Sequence, residues 1–362
     1  MVKNIEGKYL LALVANPKIG SQTLKKITAA FDDPAEIWQI SEGEIRTRLG
    51  EKISLNVAEA RKKFSPDEEI SKLNKLDVGY VTMYDKEYPP LLREIPDYPA
   101  ILFIRGNIEV FRLPSLAVVG SRKYSNYGAK VATTLTGACA NNGLVIISGL
   151  ALGIDAIAHR SALDSKGITV GVVGCGLDRI YPVSNYQLGE EIISSGGAII
   201  SEFPLGVPPM KQNFPMRNRI IAGLALGTLV IEAAESSGSL ITVGLALEYN
   251  REVFAVPGNI DSQTSEGTNK LIKDGAIPVT ETSDILRILK IEEKTGQTKA
   301  KELLPETDEE KKVAEALSTG AKSGDELVHL TKLNVISLNM TLTQMEMKGI
   351  VDNVGGGRYG LK

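Results

Sequence analysis

The sequence predicts an α/β protein built on a parallel sheet, and two observations carry that prediction. Apolar runs (LAVVG, LVIISG, TVGVVG, AIISEF, TLVIEA and EVFAVPG) recur from Leu116 to Gly258, with helical segments between them. Nearly every run ends in Gly, Ser or an acidic residue. Strands alternating with helices in this way form a sheet whose C-terminal strand ends share one ligand edge.

Around this sheet the 362 residues leave room for one or two further modules. Residues 1–65 read as a small helical domain, with LLALVA, SQTLKKITAAF, PAEIWQI and NVAEARKKF broken by Asn16-Pro17, Asp32-Asp33-Pro34 and Ser41-Glu42-Gly43. NPKIGSQTLKKI has the outline of a helix-hairpin-helix turn, although it carries only Gly20 of the usual glycine pair. The sheet domain is expected over 66–290, and two short β-like runs between Val78 and Arg105 add strands to it. Residues 291–306 are charged and aperiodic, and read as a linker. Residues 307–362 read as a winged helix. Capping boxes at Thr307/Glu310 and Ser323/Glu326 start two helices, a third runs from about Asn334 to Lys348, and a hairpin follows around Gly355-Gly356-Gly357. Lys348 is the only base of that third helix, which favours a protein-contact or packing role over DNA reading.

Four sheet units end in turns suited to anions. Gly120-Ser121-Arg122 offers backbone amides and a guanidinium, and Ser148-Gly149 closes the next strand before a helix that carries Asp155 and His159. Those two stand four residues apart, either as a structural pair or with His159 as a general base. Gly174 and Gly176 permit close ligand approach or merely a tight turn. The stretch GVPPMKQNFPMRNRIIAGL then gathers Lys211, Phe214, Arg217, Asn218 and Arg219. Cations interleaved with an aromatic suit single-stranded nucleic acid, the ring stacking a base while the cations hold phosphates. The alternative is a salt-bridged helix start. Gly238-Ser239 opens one more helix, and Ser265, Gly267 and Asn269 lie in another donor-rich turn. So many phosphate-capable turns on one edge suit a polymer.

Composition narrows the choice. The net charge is −3, but residues 105–220 carry 11 basic and 7 acidic side chains, so the basic excess falls on the first half of the sheet domain. No apolar run is long enough to span a bilayer and no signal-peptide stretch opens the chain, so a cytoplasmic protein without membrane contact is expected. Cys139 and Cys175 read as small buried hydrophobes, and two His and two Cys far apart make no zinc pattern. VVGCGLDRI lacks the third glycine of a dinucleotide fingerprint, and no cofactor is expected.

Taken together, GSR (120–122), SGLALGIDAIAH (148–159), GCGLDRIYP (174–182), SEFPLG (201–206), FPMRNRIIAGL (214–224), ESSGSLIT (235–242) and PGN…SEGTNKLIKDGA (257–276) resemble the DprA/Smf family of DNA-processing proteins. The resemblance covers about half the chain. It implies an extended Rossmann-like fold, flanked by a SAM-like or helix-hairpin-helix-like N-terminal domain and a C-terminal winged helix. The function it implies is binding and protecting single-stranded DNA and loading RecA recombinase onto it, in natural transformation and homologous recombination. It also implies a homodimer and a binding protein, not an enzyme. A second reading is a nucleotide sensor or nucleoside-monophosphate phosphoribohydrolase on a related fold, with Glu202, Glu232 or Glu235 as the carboxylate. No acid, base and nucleophile converge by spacing to support it.

Overall fold

The structure, a computed structural model, describes residues 7–31, 33–293, 307–318, 320–347, 350–355 and 357–361. The chain divides into two compact units, Met1–Glu292 and Glu293–Lys362. No helix among the described residues is long and apolar enough to cross a membrane.

The first unit holds a nine-stranded sheet: β1 (Gly79–Thr82), β2 (Ile101–Gly106), β3 (Ser115–Val119), β4 (Val145–Ser148), β5 (Thr169–Val172), β6 (Ala198–Ser201), β7 (Gly227–Val230), β8 (Glu252–Ala255) and β9 (Ile277–Pro278). Their spatial order is β1-β2-β6-β5-β4-β3-β7-β8-β9. The seven strands from β6 to β9 in that order run parallel, while β1 and β2 add an antiparallel edge. All six apolar runs became strands, because strands covered by helices on both faces must be apolar throughout. β3, β4, β5, β6 and β7 are buried along their whole length.

Alternating residues sort the strands between two helical layers. Ala117, Val119, Ile147 and Val172 pack with Ile220, Ile221 and Val243 of the helices Asn213–Leu224 and Ser239–Glu248. Leu116, Val118, Ile146 and Leu229 face the other way, against Ala132, Cys139, Ala158 and Ala162 of Asn126–Asn141 and Ile154–Asp164. Both cysteines are buried and unbridged. The N-terminal helices share one apolar cluster with Phe103 of β2 and Ile199 of β6, so they cover that end of the sheet.

The expected break at Ser41-Glu42-Gly43 is present, since the preceding helix ends at Gln39, and the same residues also start a helix that the sequence did not suggest, Glu42–Leu49. Ser41 Oγ accepts from the Glu44 amide at 3.2 Å while Glu44 Oε2 accepts from the Ser41 amide at 3.4 Å, a reciprocal cap hidden in the break.

The second unit has helices Asp308–Leu317, Gly324–Thr331 and Val335–Met347, with strands β10 (Lys322–Ser323), β11 (Val351–Gly355) and β12 (Arg358–Leu361) in the order β10-β12-β11. Both expected capping boxes are formed. Val313, Leu327, Leu338, Leu342 and Met345 make its core, while Val335, Ile336 and Met340 leave an apolar exposed side on the third helix. Lys348, Gly356 and residues 294–306 of the expected linker lie outside the described residues.

Candidate functional site

The sheet grows from β3 in both directions: β4, β5 and β6 lie on one side, β7, β8 and β9 on the other. The connections therefore diverge between β3 and β7, which opens a crevice beyond their carboxyl ends. A cavity of about 860 Å³ occupies that position. Its wall is formed by the turn after β3 (Gly120, Ser121, Arg122, Lys123), by the starts of the helices Asn213–Leu224 and Ser239–Glu248, and by Gln263 and Thr264 after β8. The Ser239 amide is held by Ser237 Oγ at 3.3 Å and the Asn213 amide by the Met210 carbonyl at 2.9 Å, so what the two helix starts turn to the opening is the positive end of their dipoles.

Arg122, Lys123 and Lys211 are exposed at this cavity, and none has a carboxylate partner among the described residues. The Arg122 guanidinium lies 5.9 Å from the centre of the Phe214 ring. Tyr181 stacks on the other side of the site, its ring 5.9 Å from Phe214 at an interplanar angle of 27°. Three unpaired cations and an aromatic pair give phosphates and a base face something to bind.

Arg217 plays a different part from these surface cations. It is buried, and its Nη1 donates to the carbonyls of Gly149 (2.6 Å) and Val172, tying the ends of β4 and β5 to the helix beneath the cavity. Gly149 leaves space for this: a Cβ there would sit 2.6 Å from Asp155 Oδ2 and 2.7 Å from Arg217 Nη2. Burial pulls the Arg217 pKa down to about 10, a shift opposed by the Asp155 charge, so the guanidinium stays protonated at neutral pH. Burial pushes the Asp155 carboxyl up, against the pull of Arg217 and of the Ala151 and Gly149 amides. The Gly149 amide donates to Asp155 at 3.1 Å.

Asp155 and His159 do not form the pair that their spacing suggested. The His159 ring is fully buried and its Nδ1 meets Thr169 Oγ1 at 2.7 Å. That hydroxyl donates to the Ile146 carbonyl, so Nδ1 carries the proton and donates to it. Burial, then the Arg217 charge, pulls the imidazole pKa down to about 3.

Arg219 points away from the cavity. Residues two apart on a helix are separated by about 200°, so Arg217 and Arg219 cannot share a face. Arg219 instead pairs with Glu202 at 2.6 Å and Asp97 at 3.2 Å.

Of the sequence-predicted residues, the large cavity gathers Gly120, Ser121, Arg122, Lys211, Phe214, Arg217, Asn218, Gly238 and Ser239. Gly149 and Gly174 line a smaller adjoining pocket with Tyr181, Phe214 and Arg122. Ser148 is buried and donates to the Val118 carbonyl at 2.7 Å. Gly176 sits in a tight turn, its amide on the Val207 carbonyl at 2.9 Å. Ser265 lines a separate cavity that includes Glu232. The Gly267 amide donates to the Ala233 carbonyl at 2.8 Å, and the Asn269 side chain clasps both backbone groups of Gly258 at 3.1 Å. Lys123, Tyr181, Gln263 and Thr264 are among the cavity residues that sequence reasoning passed over. Tyr181 stood in a motif already singled out, GCGLDRIYP, as an aromatic just past a glycine turn.

The three carboxylates of the enzymatic reading are engaged elsewhere. Glu232 accepts from the Ser125 amide (2.9 Å), Ser125 Oγ (2.6 Å) and Thr264 Oγ1 (3.0 Å). Glu202 holds Arg219, with its carboxyl raised by burial against the pull of that guanidinium. Glu235 meets Lys270 at 3.2 Å on the surface.

Residues 79–290 match the family described as DNA recombination-mediator protein A, and residues 297–357 match the DprA winged helix domain. Protein Smf of Synechocystis sp. is 33% identical across 98% of this chain and 99% of its own length. Protein Smf of Escherichia coli is 50% identical across 56% of this chain, which spans 54% of that relative. Among solved structures, DNA processing protein A of Streptococcus pneumoniae aligns with a TM-score of 0.68 at 37% identity, over 77% of this chain and 97% of its own. DNA processing protein A of Helicobacter pylori, whose structure is described as giving insight into a unique single-stranded DNA binding mode, aligns at 0.53 and 31% identity over 58% of this chain and 95% of its own.

Proposed function

The chain belongs to the DNA recombination-mediator A (DprA/Smf) family, and on that premise we propose that it binds single-stranded DNA in the cavity between β3 and β7 and serves DNA processing in transformation. Carrying this reading is the cluster of exposed, unpaired Arg122, Lys123 and Lys211 around the stacked Tyr181 and Phe214. Phosphates meet the cations and the positive ends of the two helix dipoles, and a splayed base stacks on the rings. A duplex keeps its bases stacked inside, so the aromatic pair favours single strands.

Arg217, Asp155 and Gly149 form the rigid floor that holds this surface in place. Gly120 and Gly238 let the strand approach the backbone closely, while the Ser121 and Ser239 amides are held by the Glu232 carbonyl and Ser237 Oγ. Turnover is disfavoured, because Glu202, Glu232 and Glu235 are each committed to a partner within the fold. We also propose, from the family resemblance, that the protein works as a cytoplasmic homodimer and passes the bound strand to RecA recombinase. The helical residues 1–65 and the winged helix then act as accessory modules, the latter through its apolar third helix.

The test is fluorescence anisotropy with a labelled homopolymer strand, its duplex and AMP as competitor, across a salt series. Single-strand preference with a clear salt slope supports the reading. Weak polymer binding that AMP abolishes replaces it with a nucleotide sensor or hydrolase.

A further inference from the structure

The loop that carries Arg122 and Lys123 is anchored at both ends on one residue. At its start, the Ser121 amide donates to the Glu232 backbone carbonyl at 2.8 Å. At its end, the Ser125 amide and Ser125 Oγ donate to the two oxygens of the Glu232 carboxylate, at 2.9 and 2.6 Å. Between these anchors Ser121 Oγ donates to the Lys123 carbonyl at 2.7 Å and accepts from the Lys123 amide at 3.0 Å. Glu232 also reaches the opposite lip of the cavity, where Thr264 Oγ1 donates to it at 3.0 Å. Ser125 Oγ and Thr264 Oγ1 share the same carboxylate oxygen, so the two lips meet on one atom.

Glu232 does not reach the strand itself. It is 1% exposed, and it lines the neighbouring cavity with Ser125 and Ser265. A carboxylate this deep is costly unless donors satisfy it, and here they come from two separate loops. The fold makes room for it at Gly128, where a Cβ would collide with Glu232 Oε2. Binding surfaces held in place before the ligand arrives avoid the entropy cost of ordering them on binding. Arg122 and Lys123 are long, exposed side chains, and the backbone beneath them sets where their charges stand.

We propose that Glu232 is a positioning residue for DNA binding, fixing the loop of Arg122 and Lys123 against the Gln263-Thr264 lip at the spacing a phosphate backbone needs. Its effect passes through Arg122 and Lys123. Lys211 stands on the loop before the helix Asn213–Leu224, makes none of these bonds and is untouched by it. This inference rests on the single-strand reading of the cavity.

The test is a double-mutant cycle on the full chain, read by anisotropy with an oligothymidylate of about 20 nucleotides. Glu232→Ala should weaken binding about tenfold, inside the ceiling of about 25-fold that two phosphate contacts set at 0.1 M salt, with a smaller salt slope. In an Arg122→Ala/Lys123→Ala background the same substitution should change nothing further. Lys211→Ala should cost about fivefold whether or not Glu232 is present. Glu232→Gln can turn its carbonyl to the Ser125 amide and its NH₂ to the two hydroxyls, so it should bind within about twofold of the unaltered protein. Ser125→Ala removes one link with Glu232 in place and costs a single helix cap, so the fold is retained; it should show the same dependence on Arg122 and Lys123 at about threefold. Losses that add to those of Arg122→Ala/Lys123→Ala, a weakened Lys211 effect, or unchanged affinity in folded Ser125→Ala each overturn the positioning role. If Arg122→Ala/Lys123→Ala binds as tightly as the unaltered protein, the reading of the cavity falls as well.

Discussion

Replacing Arg122 and Lys211 together by alanine should weaken single-strand binding about 25-fold at 0.1 M salt while leaving the fold intact. The magnitude follows from two exposed cations, neither with a carboxylate partner among the described residues. For single strands, each neutralised phosphate adds about 0.7 to the slope of log K against log salt. At about 0.1 M salt this is a factor of about 5 per contact, or about 2 kcal/mol for the pair. The slope itself should shrink by about 1.4. Surface substitutions of this kind change stability by only about 0.5 kcal/mol, so denaturant midpoints should coincide. Anisotropy titrations at four salt concentrations measure both quantities. An unchanged slope in a folded double variant would refute the assignment of phosphates to this edge.

Other perturbations separate support from contact. Arg217→Ala should destabilise the sheet unit by about 3–5 kcal/mol in denaturant melts, because it strips the carbonyls of Gly149 and Val172 of their donor and leaves Asp155 buried without its countercharge. Gly153→Ala should cost about 1–3 kcal/mol, since Gly153 has φ 87° and a Cβ there would meet the Ser121 carbonyl oxygen at 2.5 Å; an unchanged melting temperature contradicts this. His159 gives a pH signature: its folded pKa of about 3 lies below the ordinary value near 6.5, so the unfolded chain takes up the proton first. Its contribution is fully present above about pH 6.5 and is lost as pH falls toward 3, by about 1.4 kcal/mol per pH unit. His159→Gln should flatten that slope in stability measured against pH, and an unchanged slope would assign the acid sensitivity to other groups.

The sheet was legible because parallel strands sandwiched between helices have no polar face, so each strand shows as an unbroken apolar run. The C-terminal capping boxes were legible because the spacing of hydroxyl and acid three residues apart is itself the structure. Ser41 and Glu44 carry the same spacing, but the intervening Gly43 made the stretch read as a break alone. Contact and support were harder to tell apart. Ser148 and Asn269 look like ligand donors until Val118 and Gly258 are seen to take them, and those partners lie far off in sequence. Arg217 and Arg219 looked like one basic pair, whereas helical geometry sends them to opposite sides and burial turns both inward. The Tyr181–Phe214 stack was invisible because it joins two crossover connections that only the folded sheet brings together.

The central claim, that the strand lies in the cavity between β3 and β7, is tested most directly by photocrosslinking. A single strand carrying 5-iododeoxyuridine is irradiated on the full chain and the adduct is mapped by mass spectrometry. The account predicts adducts on Tyr181 or Phe214, where a base would stack. Adducts confined to the third helix of the C-terminal unit would contradict it.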